Sequence, residues 1–165
     1  MKNLILVRHA KSSWDNPEWS DFDRPLNKRG LRDAPFMANL LTKKGIVPDL
    51  IISSTAKRAL ETAQFFCEAF NYNKENLQKD LGIYERGSKY IINLLSKQDD
   101  NINTVILIGH NPDITSMATY FSGEFFDNVP TCGIISVKFN FDSWDNISTK
   151  NGELLFSEFP RNYFE

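Results

Sequence analysis

Four short apolar segments, at residues 4–7, 50–52, 104–108 and 134–139, are rich in Leu, Ile and Val and end at polar residues or glycine. Hydrophobicity that runs almost unbroken over so few residues suits strands buried on both faces, and it predicts four of them. Between these segments the apolar positions change to helical spacing. Asn27 can cap a helix from residue 28 to about residue 44, stopped by Gly45, with Leu31, Ala34, Ala38 and Leu41 on one face. Pro35 inside that stretch predicts a kink or a later start. Next, Ser53 or Ser54 can cap a helix in which Ala59, Ala63, Phe66, Cys67 and Phe70 recur at i, i+4, i+7, i+8 and i+11. Ser88 similarly precedes Tyr90, Ile91, Leu94 and Leu95. Strand and helix alternate through residue 121, which implies right-handed crossovers and a largely parallel sheet covered by helices. The tail breaks the alternation: residues 134–141 and 154–159, separated by a polar stretch ending in Asn151-Gly152, read as two strands joined by a loop at the sheet edge. The expected fold is α/β, a three-layer sandwich with a mostly parallel central sheet and antiparallel strands at its C-terminal edge. No repeat, low-complexity tract or linker divides residues 1–165, so one domain is expected.

Composition narrows the function classes. At 165 residues a compact chain removes roughly 70% of its unfolded surface from water, so neither metal nor disulfide staples are needed. The charges nearly cancel, 19 Lys and Arg against 21 Asp and Glu, so neither nucleic acid nor membrane is expected as a partner. Two cysteines, Cys67 and Cys132, make no disulfide framework and have no C-x-x-C spacing, which fits a reducing compartment. No apolar run reaches the roughly 18 residues of a membrane span. The start runs straight into Arg8 and His9 without a cleavage pattern, so a cytoplasmic protein is expected, acting as a monomer. The near balance of charge conceals an asymmetry, because residues 1–64 carry a net +4 and residues 65–165 a net −6. Either solvated helix faces or an anion site built from the first structural units would account for it.

The chain has only two histidines, and each stands just past a predicted buried strand: His9 after residues 4–7 and Arg8, His110 after residues 105–108 and Gly109. Ligands of open α/β sheets bind at that carboxyl edge. A hydrogen-bonded structural histidine is an adequate reading of either alone, but less so of both. Asn111 and Pro112 can open a helix after His110, aiming its N-terminal amides at the site. The strand at residues 50–52 leads through Ser53, Ser54 and Thr55 into a helical turn holding Lys57 and Arg58. A first-turn arginine opposes the helix dipole unless an oxyanion sits there. The plainer alternative pairs Arg58 with Glu61 or Glu68, and Lys57 is read as exposed. Arg8, His9, Arg58 and His110 thus converge on one edge, where forked guanidiniums suit a phosphoryl group. A metal site competes poorly, since arginines repel cations and no H-x-E or H-E-x-x-H spacing occurs. No metal or other cofactor is expected, and neither G-x-x-x-x-G-K nor G-x-G-x-x-G is present.

These residues resemble the histidine phosphatase (phosphoglycerate-mutase-like) superfamily. Leu6-Val7-Arg8-His9-Ala10 is similar to its R-H-G motif, with Ala10 in the glycine position. The stretch from Ser53 to Ala63 is similar to its S-S-x-x-x-R-A-x-x-T-A motif, Gly109-His110-Asn111-Pro112 to its third, and Leu26-Asn27-Lys28-Arg29-Gly30 to the segment before its first helix. The resemblance implies that His9 takes the phosphoryl group and that Arg8, Arg58 and His110 bind its oxygens. That role agrees with the chemistry of a neutral imidazole nucleophile among cationic donors. It also implies a carboxylate acid beyond the second motif, for which Glu85 is the candidate; a surface glutamate with no catalytic part is the alternative. Asp80 and Asp113 are poorer candidates. An imidazole leaving group needs less acid help than an alkoxide.

Length and the Arg8-His9-Ala10-Lys11-Ser12 opening resemble most the SixA-type phosphohistidine phosphatases, although Lys11 departs from the acidic residue many relatives carry. Only residues 88–102 separate the Glu85 region from the next strand, which leaves no room for a long lid there. An open pocket suits a phosphorylated side chain of a protein, whereas small phosphate esters are usually enclosed. The expected activity is metal-independent hydrolysis through a phosphohistidine at His9, acting on phosphohistidine in a protein. The alternatives are a small-molecule phosphomonoesterase of the same superfamily and a non-catalytic phosphate-binding regulatory domain. The segment from Ser13 to Pro25, with two tryptophans and four acids, is long for a plain connection. It is expected to be pinned peripherally beside Arg24, Lys28 and Arg29; a protein-docking surface is the alternative.

Overall fold

A six-stranded sheet organises the computed structural model, which describes residues 1–149 and 152–164, Thr149 by its backbone alone. In chain order the elements are β1 (Lys2–Arg8), α1 (Lys28–Lys43), β2 (Leu50–Ser53), α2 (Lys57–Ala69), β3 (Gln78–Lys79), α3 (Gly82–Glu85), α4 (Ser88–Ser96), β4 (Thr104–Gly109), α5 (Asp113–Ser122), β5 (Ile134–Phe139) and β6 (Gly152–Glu158). The strand order is β3-β2-β4-β1-β5-β6. β1, β4, β2 and β3 are parallel, while β5 pairs antiparallel with β1 and β6 with β5. The α/β sandwich with an antiparallel C-terminal edge is therefore the architecture found. Asn151 of the expected turn lies outside the described residues. The two-residue β3 has no apolar run to announce it.

Alternation along β1 divides the core in two. Leu4 and Leu6 join Ile91, Leu95, Ile114, Met117 and Phe121 on the α4 and α5 side, and Ile5 and Val7 join Ala34, Met37, Ala38, Ala63 and Phe66 on the α1 and α2 side. Two buried layers explain why β1 and β4 show unbroken hydrophobicity. Buried Trp144 closes the first layer, its Nε1–H donating to the Ile102 carbonyl at 2.7 Å.

α1 begins where Asn27 caps it, the side chain accepting the Gly30 N–H at 2.9 Å, and runs through Pro35 without a late start. Its buried face is Gly30, Asp33, Ala34, Met37, Ala38 and Leu41, whereas Leu31 is exposed. Gly30 is buried for a steric reason: a Cβ there would overlap the backbone carbonyl of Lys11. Helix α1 therefore packs directly on the segment leaving β1.

Register places the site. Arg8 pairs with Gly109 and Ser53 with Ile108, so β1, β4 and β2 end level. The ladder continues one residue further, with His9 N–H donating to Gly109 O at 3.0 Å and Ser54 N–H to Ile108 O at 3.1 Å. No helix among the described residues is long and apolar enough to cross a membrane.

Candidate active site

At this common edge the rings of His9 and His110 lie 5.1 Å apart between centroids, and Arg58 reaches in from the start of α2. His9 is fully oriented. Its Nδ1 lies 2.7 Å from the Ala10 carbonyl, and its Nε2 faces Arg58 Nε at 3.3 Å. A carbonyl can only accept and a guanidinium only donate, so we assign the proton to Nδ1 and the lone pair to Nε2. Burial, followed by the charges of His110, Arg58 and Arg8, holds His9 well below the usual histidine range against a smaller upward pull from Ala10. The imidazole is therefore neutral and nucleophilic near pH 7.

His110 shows complementary bonding. Its Nε2 lies 2.8 Å from Ser54 Oγ, while its Nδ1 is buried without a partner. Ser54 Oγ also accepts the Ala56 N–H at 3.2 Å, and with one proton and a second lone pair it can pair with either tautomer of His110. Burial and the charges of Arg58 and Arg8 push His110 down to about 4, with Asp21 acting in the opposite direction. A phosphate dianion would raise it again and favour the imidazolium donor. Arg8 Nη1 donates to the Val129 carbonyl at 3.1 Å, and its buried Nε has no partner. Burial and then the Arg58 charge lower its pKa. The unpartnered N–H of Arg8 and the unpartnered ring nitrogen of His110, a donor once the ring is protonated, are the chemistry expected around an oxyanion.

Arg58 is 6% exposed and pairs with neither Glu61 nor Glu68. Glu61 accepts the Leu26 N–H at 2.8 Å, and Glu68 pairs with Lys74 at 3.1 Å. Instead Arg58 Nη1 donates to the Asp21 carbonyl at 2.6 Å and Nη2 to Asp21 Oδ2 at 3.0 Å. The segment after β1 is thus not peripheral. Arg24 does pin it: Nη1 donates to Ser12 Oγ at 2.6 Å, Nε and Nη2 both donate to Asp21 Oδ1, and the guanidinium lies 3.6 Å from the Trp14 ring centroid. Asp21 then extends the pinned loop onto Arg58. Expecting only the anchoring failed because spacing along a loop carries no information about which side chain turns inward. Lys57 is exposed, as expected.

Three positioning features were not recognised in the sequence. Thr62 Oγ1 donates to the Arg58 carbonyl at 2.8 Å and accepts the Ala10 N–H at 3.0 Å, tying the His9 segment to α2. Its place in the T-A end of the second motif was the available signal. Cys132, at φ 59°, forks its N–H to the carbonyls of Arg8 and His9, both at 3.0 Å. Burial pushes its thiol up, and both cysteines are free. Tyr84 places its ring 5.4 Å from His110 and donates its hydroxyl to Asp21 Oδ2 at 2.7 Å. Ala10 is buried outside the left-handed region, so the backbone does not require the glycine that usually follows the histidine.

Of the segment that holds Glu85, it is Tyr84 whose ring packs against His110; Glu85 itself makes no hydrogen bond or ion pair with His9, Arg58 or His110. It is exposed and lines a shallow surface cavity with Asp80, Leu81, Gly82, Arg86 and Tyr90. Asp80 is occupied by the Tyr90 hydroxyl and the Gly82 N–H, and Asp113 by the Ser88 hydroxyl. At the start of α5 the Ile114, Thr115 and Ser116 N–H groups donate to His110 O, Asn111 Oδ1 and Pro112 O, so these three amides are already occupied. Among the described residues no three His, Cys, Asp or Glu side chains group as metal ligands.

The model of the histidine phosphatase superfamily (branch 1) matches residues 4–88. An uncharacterised chloroplastic protein of Arabidopsis thaliana is 31% identical over 159 residues, spanning 92% of this chain and 72% of that one. The structure of an Agrobacterium tumefaciens SixA, described as a phosphohistidine phosphatase, superposes with a TM-score of 0.82 at 29% identity, covering 96% of this chain and 98% of that one. A protein histidine phosphatase SixA complexed with tungstate gives 0.75 at 22% identity, over 97% and 98%, a likeness of fold. With its motifs assembled at one sheet edge and its fold matched end to end, this chain belongs to the histidine phosphatase superfamily and is a phosphatase.

Proposed function

We propose that the chain hydrolyses phosphohistidine in proteins, in two steps and without a metal. The observation that carries this reading is the set orientation of His9: Nδ1–H on the Ala10 carbonyl, and the Nε2 lone pair beside Arg58. The Nε2 lone pair attacks phosphorus, an N–P bond forms, and the P–N bond to the substrate imidazole breaks. Protonated beforehand, that imidazole departs neutral and needs no acid from the enzyme. Because Nδ1 keeps its proton, phospho-His9 is cationic on the ring and itself a good leaving group. Water then forms the new P–O bond, Nε2 recovers its electron pair, and the water proton leaves to solvent or phosphate. Arg8, Arg58 and His110 carry the charge that develops on the transferring oxygens, the part a metal ion plays elsewhere.

Protein phosphohistidine is favoured by the SixA neighbour and by the exposed rim formed by Tyr84 and Asp21. The test is turnover of a phosphohistidine peptide, an aryl phosphate and a panel of sugar phosphates in EDTA, with acid quenching to trap the phosphoenzyme. Turnover of the peptide and an acid-labile label on His9 are expected. No label on His9 would reject the covalent route, loss of activity in EDTA the metal-free one, and preference for a sugar phosphate the substrate class.

A further inference from the structure

The negative charge in contact with Arg58 has no part in the steps above. Asp21 Oδ2 accepts from Arg58 Nη2 at 3.0 Å and from the Tyr84 hydroxyl at 2.7 Å. Its Oδ1 accepts from Arg24 Nε at 3.2 Å and Nη2 at 3.0 Å. Arg24 is buried and fastened to Ser12 and Trp14, so the carboxylate rides on a fixed arm. Among the described residues it is the only carboxylate paired with Arg58. Burial alone would raise its pKa, but bonds from Tyr84, Arg24 and Arg58 hold it well below the usual carboxylate range, so it is ionised at every working pH.

Its position gives that charge a direction. Arg58 turns Nε toward His9 and both Nη groups toward Asp21, so the carboxylate stands across the guanidinium from the nucleophile. In-line displacement expels the leaving group on the side of phosphorus away from His9 Nε2. The Asp21 side chain is 49% exposed and accepts the hydroxyl of Tyr84, whose ring lies 5.4 Å from His110, so the carboxylate stands at the solvent-facing rim of the site.

We propose that Asp21 is a specificity-determining residue: it holds Arg58 against His9 while its charge at the exit discriminates against substrates whose leaving group is anionic. Neutral or cationic leaving groups pass, including an imidazole, whose N–H the carboxylate can also accept. Carboxylate-bearing and phosphate-bearing esters meet like-charge repulsion. The preference for imidazole rests on the function proposed above; the discrimination by charge does not.

The experiment compares kcat/KM for phenyl phosphate and 4-carboxyphenyl phosphate, whose leaving groups differ by one remote carboxylate, in wild type, Asp21→Asn and Asp21→Glu. The preference of wild type for phenyl phosphate over the carboxylated ester, divided by that of Asp21→Asn, cancels both the intrinsic reactivity of the phenols and the fraction of each preparation that is folded. We expect this quotient to be about five to ten, as for one unit charge at a half-exposed rim. Asp21→Glu, which keeps the charge, should retain most of the preference. A quotient within about twofold of one, with both esters slowed equally, would assign Asp21 a purely structural role and overturn the proposal. A phosphohistidine peptide is run alongside: failure to cleave it while the aryl quotient holds would defeat the proposed substrate and leave the Asp21 assignment standing.

Discussion

Arg58 Nε lies 3.3 Å from His9 Nε2 and aims its hydrogen at the lone pair that attacks phosphorus. The same guanidinium thereby marks the position that a phosphoryl oxygen takes once the group arrives. Arg58→Lys keeps a charge but loses the fork and this aim. Phosphoenzyme formation on His9 should fall about 10²- to 10³-fold, the usual cost of one transition-state donor. Rapid-quench labelling checks it, and a fall of less than tenfold would show that Arg58 is dispensable to the transfer.

Thr62 joins the two halves of this pair. Thr62→Val leaves the buried Ala10 N–H without its acceptor, which should cost about 1–3 kcal/mol in urea unfolding. Thr62→Ser, which restores the hydroxyl, should recover most of that loss. Equal stability of all three proteins would refute the tie.

Gly30→Ala tests the packing under the nucleophile segment. The new methyl would overlap the Lys11 carbonyl, which is backbone and cannot swing aside. Either α1 or residues 11–12 must shift, at about 1–3 kcal/mol. Thermal unfolding should show the loss, together with weaker phosphoenzyme formation.

Acid should weaken the fold through its histidines. Unfolded, each titrates near 6.5; folded, His110 is pushed to about 4 and His9 is also held low, first by burial in both cases. The unfolded chain therefore binds more protons between about pH 6.5 and 4, and stability falls as pH drops through that window, by up to about 1.4 kcal/mol per pH unit for each histidine. The Tm of wild type should fall more steeply from pH 6.5 to 5 than that of His110→Gln. Parallel slopes would contradict the assignment.

Glu85→Gln should leave kcat for both a phosphohistidine peptide and an aryl phosphate within about twofold, as for a surface substitution. Glu85 is exposed and lines a surface cavity with Asp80 and Arg86. A hundredfold loss confined to the aryl phosphate would instead show that a rearrangement brings the carboxylate to a poor leaving group.

The amino-acid sequence by itself determined the layers and the edge. Unbroken apolar runs force β1, β4 and β2 into a two-sided core, and the residues that end those runs, Arg8, His9, Ser54 and His110, must then emerge together, because the parallel register leaves the strand ends level. Periodicity over many residues carries that much. Only the tertiary structure decided what single side chains do across long separations. Glu85 followed the second motif at a plausible distance, yet the residue of the short α3 that meets His110 is Tyr84, while Glu85 is exposed. Asp21 sat among three other acids in a loop without periodicity, and nothing local distinguished it. It became the partner of Arg58 because Arg24, buried against Ser12 and Trp14, aims it there. Repeating patterns add up along a strand or helix and can be read in one dimension; a single contact between residues 37 positions apart depends on the whole path between them.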